Sequence, residues 1–453
     1  MRWVISPSGP LSGEIHVPGD KSVTHRAYIL GAVSVGETVV SGFLRAEDTD
    51  NTLDAIRSLG VDVKSDGDVV LIRGRGPNGL SEPDNVLDLG NSGTGVRLLA
   101  GLLAGCPFLS VLTGDSSLRR RPMGRITDPL RKMGAVIDGR DGGRLLPLVI
   151  RGGSLKGVET VSPVSSAQVK TCVLLAGLQA GGTTIFREPV LSRDHTGRML
   201  KSMGVDLFTE DLASGGSSTI MQGGQSLSPC EIAVPGDISS AAFFLVAGAI
   251  ISGSDITIRN VGVNPTRTGI VRLLSAMGAD VEIDDRPWEV EPVADIRVRG
   301  TARLKGFKVP IEWVPSIIDE LPLVAVAAAA ADGVTEIRGA GELRFKESDR
   351  ITGTVRMLQQ TGVKARELDD GFIVEGGGAI RGADFVSGGD HRIAMASAIL
   401  ALLAGEASRV SDIQCVATSF GSFPDVLNAL SSGSLVSEPS AERGNFPALS
   451  GVD

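Results

Sequence analysis

Two phrases alternate along this chain, and their regular return restricts the fold more than any other feature. The first is an Ala/Leu-rich run that ends near a glycine and gives way to β-rich residues. Its glycines are Gly36, Gly105, Gly182, Gly253, Gly333 and Gly405. The second is an amphipathic run ending in Leu-x-x-Met/Leu-Gly, or close to it, followed by alternating residues. Its glycines are Gly60, Gly134, Gly204, Gly278 and Gly362, with a degraded copy at Gly433. Each phrase recurs at roughly 70–80 residues, and a fixed period of this kind marks a repeated supersecondary unit. A unit therefore reads as two helices, each closed by a glycine C-cap and followed by strand. The first helix is apolar on nearly all sides and is expected to be buried. The second has a polar face: over residues 51–60, Leu53, Ile56 and Leu59 share one side, while Asp54, Arg57 and Ser58 do not. Asp128-Pro129 reads as another helix start of this class, with Pro at the first helical position. Strands show as alternation, for example Val61-Asp62-Val63 and Ala279–Ile283.

A third phrase occurs twice. Val17-Pro18-Gly19-Asp20-Lys21-Ser22-Val23-Thr24-His25-Arg26 returns as Val234-Pro235-Gly236-Asp237-Ile238-Ser239-Ser240, without the basic residues. Asp20 or Ser22 can cap a following helix, whose N-terminus offers free N–H groups and partial positive charge. With Lys21, Arg26 and the Ser22 hydroxyl, the first copy is a compact site for a phosphate or carboxylate. Three units precede Pro235 and three follow. The expected architecture is α/β: two similar three-unit domains with buried helices inside and sheets outside. Their expected extents are 20–236 and 1–19 plus 237–430. The Ser-, Gly-, Pro- and Glu-rich stretch 431–453 is expected to be mostly disordered.

The chain's 453 residues exceed one ordinary core, which agrees with two domains. A net charge of −9 argues against nucleic acid as a partner, since such proteins show a basic face. Local Arg and Lys clusters can still bind small anions. Cys106, Cys172, Cys230 and Cys415 are scattered without a CxxC pair, so free thiols in a reducing cytoplasm are expected. The N-terminus lacks the apolar segment of a signal peptide. The longest apolar runs, near 241–251 and 323–331, fall short of the roughly 20 residues of a membrane span.

Polar motifs recur at the starts of the buried helices. Asn91-Ser92-Gly93-Thr94-Gly95 is a Gly-rich turn that can either approach an anion or simply turn the chain. Leu118-Arg119-Arg120-Arg121-Pro122 is a basic run, and alone would read as a solvated loop. Ser165-Ser166-Ala167-Gln168 reads equally as an N-cap, and Ser192-Arg193-Asp194-His195 is a further polar turn. Ser316-x-x-Asp319 could be a capping box. Yet Pro322 interrupts a simple helix there, and a carboxylate between Ile318 and Leu321 would be partly desolvated, as suits a base of raised pKa. Phe345-Lys346-Glu347-Ser348-Asp349-Arg350 could be a surface salt-bridge face. Asp390-His391-Arg392 brings an arginine to the sixth buried helix. His16, His25, His195 and His391 lack metal-ligand spacing. Repeat symmetry places all these turns at corresponding ends of their units, so two facing domains would gather them into one cleft. Such a cleft suits anionic substrates and acid–base chemistry.

In order and spacing, Gly19–Ser22, Asn91–Thr94, Leu118–Met123, Ser166–Gln168, Lys346–Arg350 and Asp390–Arg392 closely resemble the 5-enolpyruvylshikimate-3-phosphate synthase family, over about Ile15 to Leu430. The resemblance implies an inside-out α/β barrel of the enolpyruvyl transferase fold in two domains, each of three βαβαββ units, with the chain crossing at the two Pro-Gly-Asp phrases. It implies transfer of the enolpyruvyl group of phosphoenolpyruvate to the 5-hydroxyl of shikimate 3-phosphate through a tetrahedral intermediate, with no metal or organic cofactor and no partner chain. Lys21, Ser22, Arg26, Ser166, Ala167, Gln168, Arg193, Asp319 and Lys346 would bind shikimate 3-phosphate. Lys21, Asn91, Gly93, Thr94, Arg121, Gln168, Arg350 and Arg392 would bind phosphoenolpyruvate. Asp319 would accept the hydroxyl proton, and Glu347, with Lys21, would protonate the methylene carbon. The cations Lys21, Arg26, Arg121, Arg350 and Arg392 would repel one another until anions arrive, so the domains would close on ligand.

The same family is inhibited by glyphosate at the phosphoenolpyruvate site. Gly93 lacks the methyl of some tolerant members, whereas Gly19-Asp20-Lys21, Ser166–Lys170 and Asn264-Pro265-Thr266-Arg267 match motifs of the tolerant class, and Arg193-Asp194-His195-Thr196 matches a fourth in part, with Gly197 where that class has glutamate. Gly421 stands where some members carry a lysine before the Ser422-Phe423-Pro424 motif. The sister family acting on UDP-N-acetylglucosamine carries a cysteine loop shortly before its Arg-Pro motif, where Ser116–Arg120 has none. A non-catalytic βαβ repeat scaffold is the other alternative, and a shikimate 3-phosphate binding assay separates it.

Overall fold

The computed structural model describes residues 1–438 apart from 214, 302 and 432, and the repeat appears in it as buried helices alternating with partly exposed ones. In chain order they are α1 (Lys21–Val33) and α2 (Glu47–Ser58), α3 (Gly93–Leu103) and α4 (Gly124–Met133), α5 (Ala167–Leu178) and α6 (His195–Ser202), α7 (Ile238–Ile250) and α8 (Gly269–Ala276), α9 (Leu321–Ala330) and α10 (Arg350–Gln360), and α11 (His391–Ala401) and α12 (Phe423–Ser431). The odd-numbered helices have no polar face to offer water and are buried along nearly their whole length; α7 is buried from Ile238 to Ala249. Two hydrophobic cores result. One draws on residues from Val23 to Val234 joined by Val290, the other on Trp3 to Ile15 and Ile238 to Leu435.

Among the described residues the strands make six open sheets, five of four strands and one of three. The inside-out arrangement is therefore assembled from separate small sheets and contains no closed β-barrel. At the crossings the sheets exchange strands. Ser12–His16, which leads into α1, pairs in parallel with Asp255–Gly262 of the other half. Glu231–Ala233, which leads into α7, pairs in parallel with Val35–Ser41. Each half's first buried helix is thus fed by a strand lying in the opposite half. The two crossings touch: Asp20 N donates to Pro235 O and Asp237 N to Pro18 O, both at 2.8 Å. A Cβ on Gly19 would lie 2.0 Å from the Gly42 carbonyl oxygen, so only glycine permits this approach.

Several expectations need correction. The glycines of the second phrase do cap helices: Gly60, Gly134, Gly204, Gly278 and Gly362 have φ from 84° to 111°. Those of the first phrase do not. The buried helices end at Ser34, Ala104, Gln179, Ile251, Ala331 and Leu402, and the glycine follows in the turn or strand beyond. Pro129 is inside α4, which starts where Ile126 N and Thr127 N donate to Met123 O. Asp20, not Ser22, caps α1, accepting from Val23 N at 3.0 Å. In the stretch read as disordered, α12 runs to Ser431, and Leu435–Glu438 adds a strand to Arg2–Ile5, with Leu435 buried in the second core. Residues 439–453, the rest of that stretch, lie outside the described residues. No single helix among the described residues is long and apolar enough to cross a membrane.

Candidate active site

The starts of the buried helices converge on a cleft of about 440 Å³ between the two cores, beside the crossings. The first half lines it with Lys21, Ser22 and Arg26 of α1, Thr94 of α3, Ser166, Ala167 and Gln168 at the start of α5, and Arg193. The second half lines it with Asp319, Lys346, Glu347, Arg350 and Arg392. Asn91, Gly93 and Arg121 stand just behind this wall.

The local reasons are visible in the sequence. Asp20 caps α1 and so makes Lys21 its first residue, at the positive end of the helix dipole. Lys21 forms an ion pair with buried Asp48 of α2. One turn on, Arg26 is held by Thr196 Oγ1 (2.7 Å), Thr171 Oγ1 (3.0 Å) and Ser22 O (2.8 Å). Ser166 is the N-cap residue of α5, but its hydroxyl makes no capping bond and remains on the cleft wall. Gln168 accepts from Arg97 Nη1 (2.5 Å) and donates to Thr94 Oγ1 (3.0 Å). Arg121 donates to Asn91 Oδ1 at 2.6 Å, so Asn91 acts as its holder.

Burial pulls the Arg26 guanidinium down to about 10. Burial, with Arg125 and Arg121 beside it, pulls Arg97 down to about 9. Cations destabilised in this way gain most from an arriving anion. Burial and the Lys21 charge likewise push His391 down to about 3, so it faces the cleft as a neutral ring.

In the second half the chain bends by 112° between Ile311–Ile317 and α9, and Asp319 sits at the bend. It is no capping box, because Ser316 Oγ donates to Trp313 O instead. Asp319 receives Arg193 Nη2 (2.5 Å), Lys346 Nζ (3.0 Å) and Arg350 Nη1 (3.3 Å) on its carboxylate, and Arg392 Nη1 (2.9 Å) on its carbonyl. Burial works to raise its carboxyl, but Lys346, Arg193, Arg392 and Arg350 outweigh it and hold Asp319 well below the usual range. The expected raised pKa is therefore not found: local apolarity is legible in the sequence, whereas the converging cations come from distant segments. Glu347 behaves alike. Burial would raise it, yet Arg350 (2.6 Å) and Arg121 (3.5 Å) keep it ionised. Lys21, Arg121 and Arg350 each face an acid, which offsets their charge, whereas Arg26 and Arg97 are pulled down by burial and by neighbouring arginines.

Sequence reasoning missed the supporting groups. Arg125 of α4 crosses the cleft to Glu342 at 2.6 Å. Arg97 underlies Gln168, and Asp48 anchors Lys21. Arg267 bridges the two crossings. The only local signal for Asp48 is the acid-rich first turn of α2, with Glu47, Asp48 and Asp50, which does not by itself single out the acid that meets Lys21.

Comparison with known proteins agrees with this architecture. Residues 5–427 match the sequence profile described as EPSP synthase (3-phosphoshikimate 1-carboxyvinyltransferase). The chain is 51% identical over 430 residues to the 3-phosphoshikimate 1-carboxyvinyltransferase of Citrifermentans bemidjiense, covering 95% of this chain and 99% of that one. It is 52% identical over 424 residues to that of Pelotomaculum thermopropionicum, covering 93% and 97%. A solved EPSP synthase from Acinetobacter baumannii superposes with a TM-score of 0.85 at 43% identity, covering 96% of this chain and 99% of that one. The chain belongs to the EPSP synthase family.

Proposed function

We infer that this chain transfers the enolpyruvyl group of phosphoenolpyruvate to the 5-hydroxyl of shikimate 3-phosphate and releases phosphate. The observation that carries this reading is the meeting of two ionised carboxylates with destabilised buried arginines in one cleft. Lys21, Ser22, Arg26, Ser166, Ala167, Gln168, Arg193 and Lys346 bind shikimate 3-phosphate, whose hydroxyl lies against Asp319. Arg121, Arg350 and Arg392 take the phosphoenolpyruvate anion, with Lys21, Gln168, Thr94 and the Asn91–Gly93 turn.

Asp319 enters as a carboxylate and accepts the hydroxyl proton while the oxygen attacks C2 of phosphoenolpyruvate. Glu347 gives a proton to C3, with Lys21 beside it. Because Glu347 starts ionised, it must first gain that proton. A polyanion that draws Arg121 and Arg350 towards itself removes the charge holding Glu347 low, so substrate arrival arms the acid. The tetrahedral adduct then loses the C3 proton and phosphate, restoring the double bond. Lys and Arg neutralise the charge that builds up.

The strand pairing and the two cores support domains of 20–236 and 1–19 plus 237–430, with Leu435–Glu438 added to the second. A monomer is the assembly that goes with this reading. The unpaired state of the four cysteines supports a cytoplasmic enzyme. Phosphate release that needs both substrates together tests the reading. Release with UDP-N-acetylglucosamine in place of shikimate 3-phosphate would overturn it.

A further inference from the structure

Arg267 has no part in the chemistry above, yet it is only 2% exposed. It closes the turn Asn264–Arg267 before α8 and reaches both crossings at once. Its Nη1 donates to Asp20 Oδ2 (3.0 Å), and its Nη2 to Asp237 Oδ1 (2.9 Å) and Ser239 Oγ (2.9 Å). The other oxygen of Asp20 caps α1, and the other oxygen of Asp237 receives Lys21 N at 3.3 Å. One planar fork therefore joins the N-termini of two helices that are fed from opposite halves.

The ties continue to both sides of the cleft. Ser239 Oγ donates to Glu320, the neighbour of Asp319, and Arg392 lies 3.6 Å from the same Glu320 oxygen. In the same turn Asn264 Nδ2 donates to Asp194 Oδ1 (2.7 Å), beside the Arg193 that pairs with Asp319. We propose that Arg267 is a positioning residue that sets the placement of Lys21 relative to Asp319 and Arg392. It acts through Asp20, Asp237 and Ser239. Only a guanidinium can span these acceptors, since an ammonium lacks the rigid fork. The inference rests on the roles read above for Lys21 and Asp319.

Arg267→Lys keeps the charge but cannot bridge both crossings. Its kcat is expected to fall about 10²-fold, the loss that a misplacement of about 1 Å produces. Shikimate 3-phosphate, titrated by calorimetry, should still bind. Adding Asp237→Asn to Arg267→Lys should cost little more, because both cut the same tie. Rates are compared where circular dichroism shows every variant folded, so a purely structural role would leave kcat unmoved. If Arg267→Lys does not fold, Asp237→Asn alone takes its place, and a kcat loss is again the expected result. A parental kcat in the variant, or losses that multiply in the pair, overturn the clamp alone. A parent that releases no phosphate overturns the underlying reading of the reaction, and the clamp with it.

Discussion

At the first crossing Asp20 caps α1 with a ψ of 118°, and at the second Asp237 caps α7 with the same ψ. The next residue separates them. Lys21 reaches the cleft and pairs with Asp48, whereas Ile238 is 1% exposed and packs into the second core. The same division runs through both halves. The first contributes cations and hydroxyls to the cleft, and the second contributes Asp319 and Glu347 together with cations of its own, Lys346, Arg350 and Arg392. Repetition explains why two like walls face each other. It does not explain a reaction, which needs unlike walls, and a handful of side chains on an otherwise shared backbone supplies the difference.

The largest effect should come from the acid side. Asp319→Asn is expected to lower kcat by about 10²–10⁴, the usual worth of a positioned base. Shikimate 3-phosphate should still bind in a calorimetric titration. Near-normal turnover would remove the second half's claim to the chemistry. The crossings themselves can be set against each other. Lys21→Ala should lower kcat/KM by roughly ten- to a hundredfold, from the loss of a charged contact of about 1.5–3 kcal/mol. Ile238→Val should cost about 0.5–1.5 kcal/mol of stability in urea unfolding and leave kcat/KM unchanged. The reverse pattern would break the comparison outright.

Gly93 gives a smaller effect. A Cβ there would stand 2.8 Å from Arg121 Nη1 and 3.2 Å from Arg97 Nη1, so the added methyl must push two guanidinium ends aside. Gly93→Ala is expected to weaken glyphosate by about 1–3 kcal/mol, with a lesser loss for phosphoenolpyruvate. Competitive inhibition constants for both forms decide this, and equal constants would place the turn away from the inhibitor. The smallest signal is a proton. Arg350 and Arg121 hold Glu347 low, and an anion that draws them away would release it upward, so binding should take protons up. Calorimetry of glyphosate binding to the shikimate 3-phosphate complex, in buffers of different ionisation enthalpy, should show up to about one proton more for the parent than for Glu347→Gln. Equal uptake would mean that Glu347 does not titrate with the ligand.

What the sequence revealed follows from range. Helix type and order came from apolar periodicity, and the second-class caps from a glycine at a fixed offset; both are local signals. The cleft residues were found because each helix start carries its polar group within a few positions. Protonation could not be read this way. Asp319 sits between Ile318 and Leu321, which suggests a raised pKa, and only the fold brings Arg193 within 2.5 Å. Arg267 appears in the sequence only within a motif of the tolerant class, and its bridging role is not legible there for the same reason, since its acceptors lie 247 and 30 positions away. The strand at Leu435–Glu438 was missed because its partner is at the other end of the chain.

The exchange of strands at the crossings also orders events during synthesis. Residues 20–236 contain all the strands of their own three sheets, so this half can assemble while the ribosome is still making the other. Arg2–Ile5 and Ser12–His16 cannot join it. Their partners are Asp255–Gly262, Ser408–Ser411 and Leu435–Glu438. At about 5–20 residues per second, the wait for the last of these runs to roughly 10–40 s after the first half is complete. Trp3 and Ile5, both buried in the finished protein, wait through that interval for Ser408–Ser411 and Leu435–Glu438, whereas Leu11 and Ile15 meet Asp255–Gly262 sooner. The strands that precede α1 are therefore held back from their sheets, and a nascent-chain chaperone would find its longest-lived target there.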